Sequence, residues 1–352
     1  MSNPPPYPWF RRGLADGPAP QAETIPLVDR ARSEDPSLYL PDPDLSHAVN
    51  VALVLGMPLL LTGEPGTGKT RLADALANDL ACPLHRFDTK STSAARDLFY
   101  TYDALTAFKA RDSADPRLFI RYQALGRAIL EAFPKDLAAI QPLLPPGGQG
   151  SFTHPGAPRR AVVLIDEIDK APRDFPNDLL TEIDRLAFRV PELQNAGTPG
   201  SEAGEAGVPN AFRPIVILTS NSEKGLPDPF LRRCVYYDIP FPDKARMGEI
   251  VARRLAGIEQ GSPLLTDALD LFYDLRHANG HTRLVKEPST AELINWIQLL
   301  VQRGAKPGQT LRGQPALVRE TLSSLVKNKS DRRDALAHAE KWVSGQAAGR
   351  PG

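Results

Sequence analysis

The sequence predicts an α/β domain, a parallel sheet with helices on both faces, followed by an all-helical domain. Three observations carry this expectation. Up to residue 241, short apolar runs alternate with amphipathic stretches, the pattern of strands covered on both faces and joined by helices. After residue 242 the strand-like runs stop and only helical periodicity remains. Between the first run and the first amphipathic stretch stands a glycine-rich segment with a lysine and a threonine, "GEPGTGKT".

Residues 1–37 are rich in proline and read as an extended, loosely packed segment. "PLLLTG" (58–63) reads as a buried strand, and "TRLADALANDL" (70–80) as the helix after it. "PLHRFD" (83–88) is a second strand, and "AVVLID" (161–166) is apolar up to its terminal carboxylate. "FPNDLLTEIDRL" (175–186) repeats Leu179, Leu180, Ile183 and Leu186 at helical spacing. "PIVILTS" (214–220) and "CVYYDIPF" (234–241) complete the strands. Residues 142–160 and 191–214 collect Pro, Gly and small polar residues and read as loops, the second with a mobile middle. Beyond the sheet, 244–255, 264–277, 290–302, 315–327 and 332–343 read as helices. The expected domains are an extension (1–37), the α/β domain (38–242), a helical domain with C-terminal helices (243–345) and a tail (346–352). Pro240–Asp243 supplies the boundary, because its prolines end the last strand and Asp243 can cap the next helix.

Composition narrows the function classes. The 42 basic and 42 acidic side chains cancel, which argues against broad electrostatic binding to nucleic acid or an anionic membrane. Cys82 and Cys234 are far apart and form no CxxC pair, so neither a zinc ribbon nor a disulfide framework is expected, and a reducing cytoplasm fits. "MSNPPPYPWFRRG" lacks the apolar core of a signal peptide, and the longest apolar run is too interrupted to insert in a membrane. His277 and His281 have i,i+4 spacing, but Asn279 and Gly280 between them disfavour the helix that a metal pair would need. "KNKSDRRD" (327–334) reads as a solvated segment rather than a nucleic-acid arm, and Trp296 as helical core.

"GEPGTGKT" has the spacing of a phosphate-binding loop. Gly63, Gly66 and Gly68 let the backbone curl so that the N–H groups from Gly63 through Glu64, Pro65, Gly66, Thr67 and Gly68 surround one point at the positive end of the next helix; Pro65 itself has no N–H to give. Lys69 would reach the outer phosphates of ATP, and the Thr70 hydroxyl would ligate Mg²⁺. "VVLIDEIDK" (162–170) supplies the carboxylates: Asp166 for the Mg²⁺ shell and Glu167 to polarise an attacking water. Asp169 and Lys170 are expected only to pair with each other or with a neighbour. Asn221, at the tip of the 214–220 strand, fits a sensor of the γ-phosphate or the water; a turn cap is the plainer alternative. Arg232 and Arg233 follow a turn that leads away from that tip. They suit a guanidinium supplied in trans, worth about 10³–10⁵ in rate; a pair of solvated charges is the plainer alternative.

The order "GEPGTGKT", "VVLIDEIDK", "TSNSEKGLPDPFLRRC", then a helical lid, resembles the AAA+ ATPases and specifically the MoxR group. "LPDPDLSHAVNVALVLGMPLLLTGEPGTGKT", "KSTSAARDLFYTYDAL", "DKAPRDFPNDLLTEIDRLAFRV" and "KEPSTAELINW" resemble its CoxD-like branch, so the likeness covers about residues 38–302. It implies a homo-oligomeric, usually hexameric ring with ATP between subunits. Lys69, Thr70, Asp166, Glu167 and Asn221 would act in cis, and Arg233, with or without Arg232, in trans. It also implies inserts near 91–119 and 188–214, and a partner with a von Willebrand factor A domain in a complex that the ring assembles or activates. Phe99, Tyr100 and Tyr102 lie in the first insert, where core packing competes with gripping a substrate chain. Thr290 stands where many relatives carry a lid arginine, with Lys286 nearby. A nucleic-acid-stimulated motor is the alternative function, disfavoured by the zero net charge. A GTPase would want an N-K-x-D base reader, which "NSEK" is not, and an ATP-gated scaffold would not need both Lys69 and Glu167.

Overall fold

The computed structural model describes residues 25, 27–110, 114–202, 207–222, 226–277 and 284–345. Most of the proline-rich extension, the middle of the 191–214 loop, His281 and the tail therefore lie outside the described residues. Two compact units divide the chain. One is Tyr39–Phe241; the other gathers the described residues before Tyr39 with those from Pro242 onward.

A short helix, α1 (Ala31–Glu34), precedes the first unit. That unit opens with α2 (Pro43–Leu55), which sequence reading passes over as part of an apolar run. Asp42 caps it by accepting the Leu45 N–H at 2.7 Å, and Gly56 ends it in a left-handed conformation. Then come β1 (Leu59–Thr62), α3 (Lys69–Asp79) and β2 (Leu84–Asp88). The 91–119 stretch, expected as an insert, and the residues just after it form an antiparallel pair, β3 (Tyr100–Tyr102) with β4 (Ile120–Tyr122), around α4 (Ala104–Ala110). α5 (Ala124–Glu131), β5 (Val162–Asp166) and α6 (Phe175–Arg185) follow. A small hairpin, β6 (Arg189–Val190) with β7 (Ala196–Gly197), leads to β8 (Ile215–Thr219), α7 (Asp228–Leu231) and β9 (Val235–Asp238).

The main sheet is five-stranded, ordered β2-β5-β8-β1-β9, with each neighbouring pair parallel. Its alternation feeds two cores. Leu60, Val163, Ile165, Val216 and Leu218 face α5, α6 and the β3–β4 insert. Leu59, Leu61, Val162, Leu164 and Ile217 face α2 and α3. Both faces being covered is why these strands are apolar without interruption. Phe99 and Tyr100 are buried, and Tyr102 packs against the same cluster. Phe99 stacks on Phe188 with centroids 5.1 Å apart, so core packing accounts for these aromatics. Glu131, ending α5, is buried with its carboxylate held by Arg159 at 2.9 and 3.0 Å and by His85 at 3.1 Å. Burial pushes this carboxyl up, but those hydrogen bonds and the partners' charges outweigh it and hold the group below its ordinary value.

The second unit is helical: α8 (Lys244–Arg254), α9 (Pro263–Arg276), α10 (Thr290–Gln302), α11 (Pro315–Thr321) and α12 (Lys329–Val343). Asp243 caps α8 by accepting the Arg246 N–H at 2.8 Å. Ser289 and Glu292 form a capping box at α10. Trp296, Trp342 and Phe272 are buried. The segment before Tyr39 bonds to these helices: Arg32 donates to the Arg253 carbonyl and Gln298 to the Asp29 carbonyl, each at 3.2 Å. The 327–334 segment, expected to be solvated, is corrected in one respect. Asp331 is buried in the first turn of α12, where it accepts the Val285 and Lys286 N–H groups at 3.1 and 3.0 Å. Thr290 is also buried, while Lys286 is exposed. No helix among the described residues is long and apolar enough to cross a membrane.

Candidate functional site

The carboxyl ends of the central strands converge on one crevice, where open parallel sheets bind ligands. The glycine-rich loop leaves β1 there. Glu64–Thr67 is a turn closed by Thr67 N–H to Glu64 O at 3.3 Å. Pro65 and Gly66 (φ 84°) occupy the central positions that the type II pattern favours. Gly63 has φ 132°, and a Cβ there would lie 2.5 Å from the Ile239 carbonyl oxygen, so only glycine fits. Gly68 (φ 96°) starts α3 with no side-chain cap, which leaves the first N–H groups of that helix available to an anion.

Lys69 is buried, and its ammonium donates to the Gly63 and Glu64 carbonyls at 2.6 and 3.0 Å. Burial pulls its pKa down, opposed by the charges of Asp169, Asp166, Asp238 and Glu167. The Thr70 hydroxyl stands 3.2 and 3.1 Å from the two Asp166 oxygens. Thr219, ending β8, joins the neighbouring strand to the cluster. Its hydroxyl donates to Asp166 and accepts the Glu167 N–H, the latter at 2.9 Å. Sequence reading missed Thr219; the signal was a hydroxyl closing an otherwise apolar strand beside the one that carries the carboxylates.

Glu167 has a left-handed backbone (φ 56°), unusual for a side chain of its size. Its carboxylate pairs with Lys170. This hydrogen bond raises the Lys170 pKa. Asp169 accepts from Asn221 at 3.3 Å (N–H) and 3.5 Å (Nδ2). Thus hydrogen bonds link Thr70, Asp166, Thr219, Glu167 and Lys170, a separate pair joins Asn221 to Asp169, and Lys69 lies within electrostatic reach of Asp166, Glu167 and Asp169.

Arg232 and Arg233 are not part of it. Both are exposed, and neither side chain has a hydrogen-bond or ion-pair partner among the described residues. They immediately precede Cys234 and β9, whose first residue, Val235, is level with Leu59 at the start of β1. The glycine-rich loop leaves the other end of β1, beyond the Thr62–Asp238 pair. Three residues of strand, about 10 Å at ~3.3 Å each, separate the two edges. Cys234 itself is buried, which pushes its thiol up to about 12 and leaves it inert.

No curated protein matches the chain. A family model, the AAA domain of the dynein-related subfamily, matches residues 58–234, from the residue before β1 to the residue before β9. That match takes in the phosphate loop, the carboxylates of β5, the tip of β8 and both arginines, and it spans just over half of the sequence. The chain therefore belongs to the AAA domain family, dynein-related subfamily, whose members are ATPases.

Proposed function

We propose that this protein is a cytoplasmic, Mg²⁺-dependent ATPase that works as a homo-oligomeric ring, of MoxR type and CoxD-like branch, and assembles or activates a partner complex containing a von Willebrand factor A domain protein. The branch, the partner and the setting rest on the stretches between residues 38 and 302 that resemble that group. The catalytic part rests on the site, and one observation carries it: the arginines lie at the end of the strands opposite their own phosphate loop.

The residues fit the ligands. The N–H groups of the glycine-rich loop and α3 suit a phosphate chain, and Lys69 would exchange its bonds to two carbonyls for phosphate oxygens. Thr70 and Asp166 offer the hard oxygen donors that Mg²⁺ prefers. Mg²⁺ held there would offset the negative charge of the phosphates against Asp166, Glu167, Asp169 and Asp238. Thr219 orients Asp166. Glu167 would leave Lys170 to take a proton from the attacking water; that ion pair is largely exposed, so breaking it costs little. Asn221 stays beside the reacting group, aimed by Asp169. Arg233, with Arg232, would complete the site of a neighbouring copy.

The test is complementation. Lys69→Ala removes the cradle but keeps the arginines, and Arg233→Ala does the reverse. Each alone is expected to lose ATP turnover by about 10³-fold or more. Mixed and allowed to reassemble, they recover activity where an intact cradle meets an intact arginine. If the mixture stays as inactive as its parts, the trans assignment fails. Glu167→Gln, expected to bind ATP without turning it over, serves to capture the partner.

A further inference from the structure

The edge of the sheet formed by β2 is open. Val162 N–H donates to Pro83 O, Thr89 N–H donates to Asp166 O, and Leu84 is level with Val162. In a parallel ladder this register turns the main-chain groups of His85 and Phe87 towards β5, and those of Leu84, Arg86 and Asp88 outward. The outward groups have no hydrogen-bond partner among the described residues. Among the described residues, β2 pairs with β5 alone.

A cavity of about 740 Å³ runs beside this edge. Leu84, His85 and Arg86 line one side; the end of β4 and the start of α5 line the other. Its charged lining is of one sign: Arg86, Arg121 and Arg127, with no carboxylate. Arg127 is fixed by donating to Tyr122 O at 2.8 Å and Ser151 O at 3.1 Å, and Arg86 by its ion pair with Asp74. The Arg121 side chain is exposed and makes no direct hydrogen bond or ion pair among the described residues, though its charge helps lower the pKa of the Asp103 carboxyl. The uncapped N-terminus of α5 opens on the same space through Gln123 and Ala124, adding positive potential.

We propose that the open edge of β2 and the arginine-lined groove beside it dock an extended acidic peptide segment of a partner protein. The main chain of the segment would extend the sheet by bonding to the outward groups of Leu84, Arg86 and Asp88. Its carboxylates would meet Arg121 and Arg127 across the groove. The free main-chain row selects a strand over a compact anion, and the charge selects acidic over basic or apolar sequence. None of the groove's lining residues belongs to the nucleotide crevice, which the edge approaches only at Asp88, so docking needs no ATP.

The probe is a short fluorescein-labelled peptide of alternating valine and glutamate, titrated with the full chain and followed by anisotropy without nucleotide. Three comparators share its length: one with lysine for glutamate, one N-methylated at alternate residues, and one with the valines replaced by serine. Saturable binding is expected for the first and the serine peptides. The lysine and N-methylated peptides should bind at least about tenfold more weakly, as should the parent peptide to Arg121→Glu, a loss of about 1.4 kcal/mol or more. Arg121 is exposed and outside the ATP site, so this variant should keep its fold and turnover. Equal binding of the N-methylated peptide would reduce the site to a surface charge effect and overturn strand addition. Equal binding by Arg121→Glu or of the lysine peptide would overturn the charge assignment, and no binding of the parent peptide would overturn the whole proposal.

Discussion

Gly63, Glu167 and Glu131 each hold a position that few other residues could. A Cβ on Gly63 would strike the Ile239 carbonyl oxygen, and the backbone there is in a region disfavoured for L side chains. Gly63→Ala is expected to destabilise the fold by about 1–3 kcal/mol, the usual range for strain at such a site. It should also lose binding of a fluorescent ATP analogue; a variant that melts and binds like the wild type would show that the loop tolerates the group. Glu167 keeps a left-handed backbone although a glycine would sit there more comfortably, so the carboxylate is retained against a local conformational preference. Glu131 carries a pH signature. Its folded-state pKa is lowered, so its stabilisation is present above the unfolded-state value near ~4.3 and is lost as pH falls through the folded-state value. Glu131→Gln should cost about 2 kcal/mol at pH 7, less than a fully buried pair because Arg159 is half in water. Denaturant titrations at neutral and strongly acid pH should show the difference shrinking in acid; a constant difference would mean that packing, not charge, is what Glu131 supplies.

Among the elements, α10 and α11 are joined by a buried polar contact. The Trp296 indole N–H donates to Thr321 Oγ1 at 2.9 Å, and that hydroxyl donates to Leu317 O at 2.7 Å. Thr321→Val keeps the volume but leaves the indole N–H buried without an acceptor, expected to cost about 1–3 kcal/mol. Thermal unfolding would check it, and an unchanged midpoint would mean that α10 shifts to find another acceptor. How legible the elements were follows the same physics. The strands of the main sheet stood out because burial on both faces makes them continuously apolar, as in "AVVLID". β3 and β4 did not, because three residues are too few to display alternation and their aromatics also suit a surface grip. α5 is legible only weakly: Leu125, Ala128, Ile129 and Ala132 repeat at helical spacing, but eight residues cover little more than two turns. At the site, the loop, the two carboxylates and the strand-tip Asn221 could be found from spacing. Thr219 left only a hydroxyl closing an apolar strand, which shows no role by itself, because that role arises from β5 and β8 being neighbours, and strand order is not written in any local pattern. Asp331 was misjudged because its charged neighbours in sequence face solvent while it turns inward.

For the whole molecule, the two proposed sites use different borders of the sheet: the crevice at its strand ends for nucleotide, and the unpaired main chain of β2 for a partner, so catalysis and docking would vary independently. The register of β9 against β1 has a further consequence, under the proposed shared site, for mixed populations of subunits. A copy that lacks only Arg233 would be silent at its neighbour and competent at home. A copy that lacks only Lys69 would be silent at home and helpful next door. Heterozygous damage to either would therefore leave half-working assemblies in proportion to dose, whereas a copy damaged at both would disable two junctions at once and act as a poison.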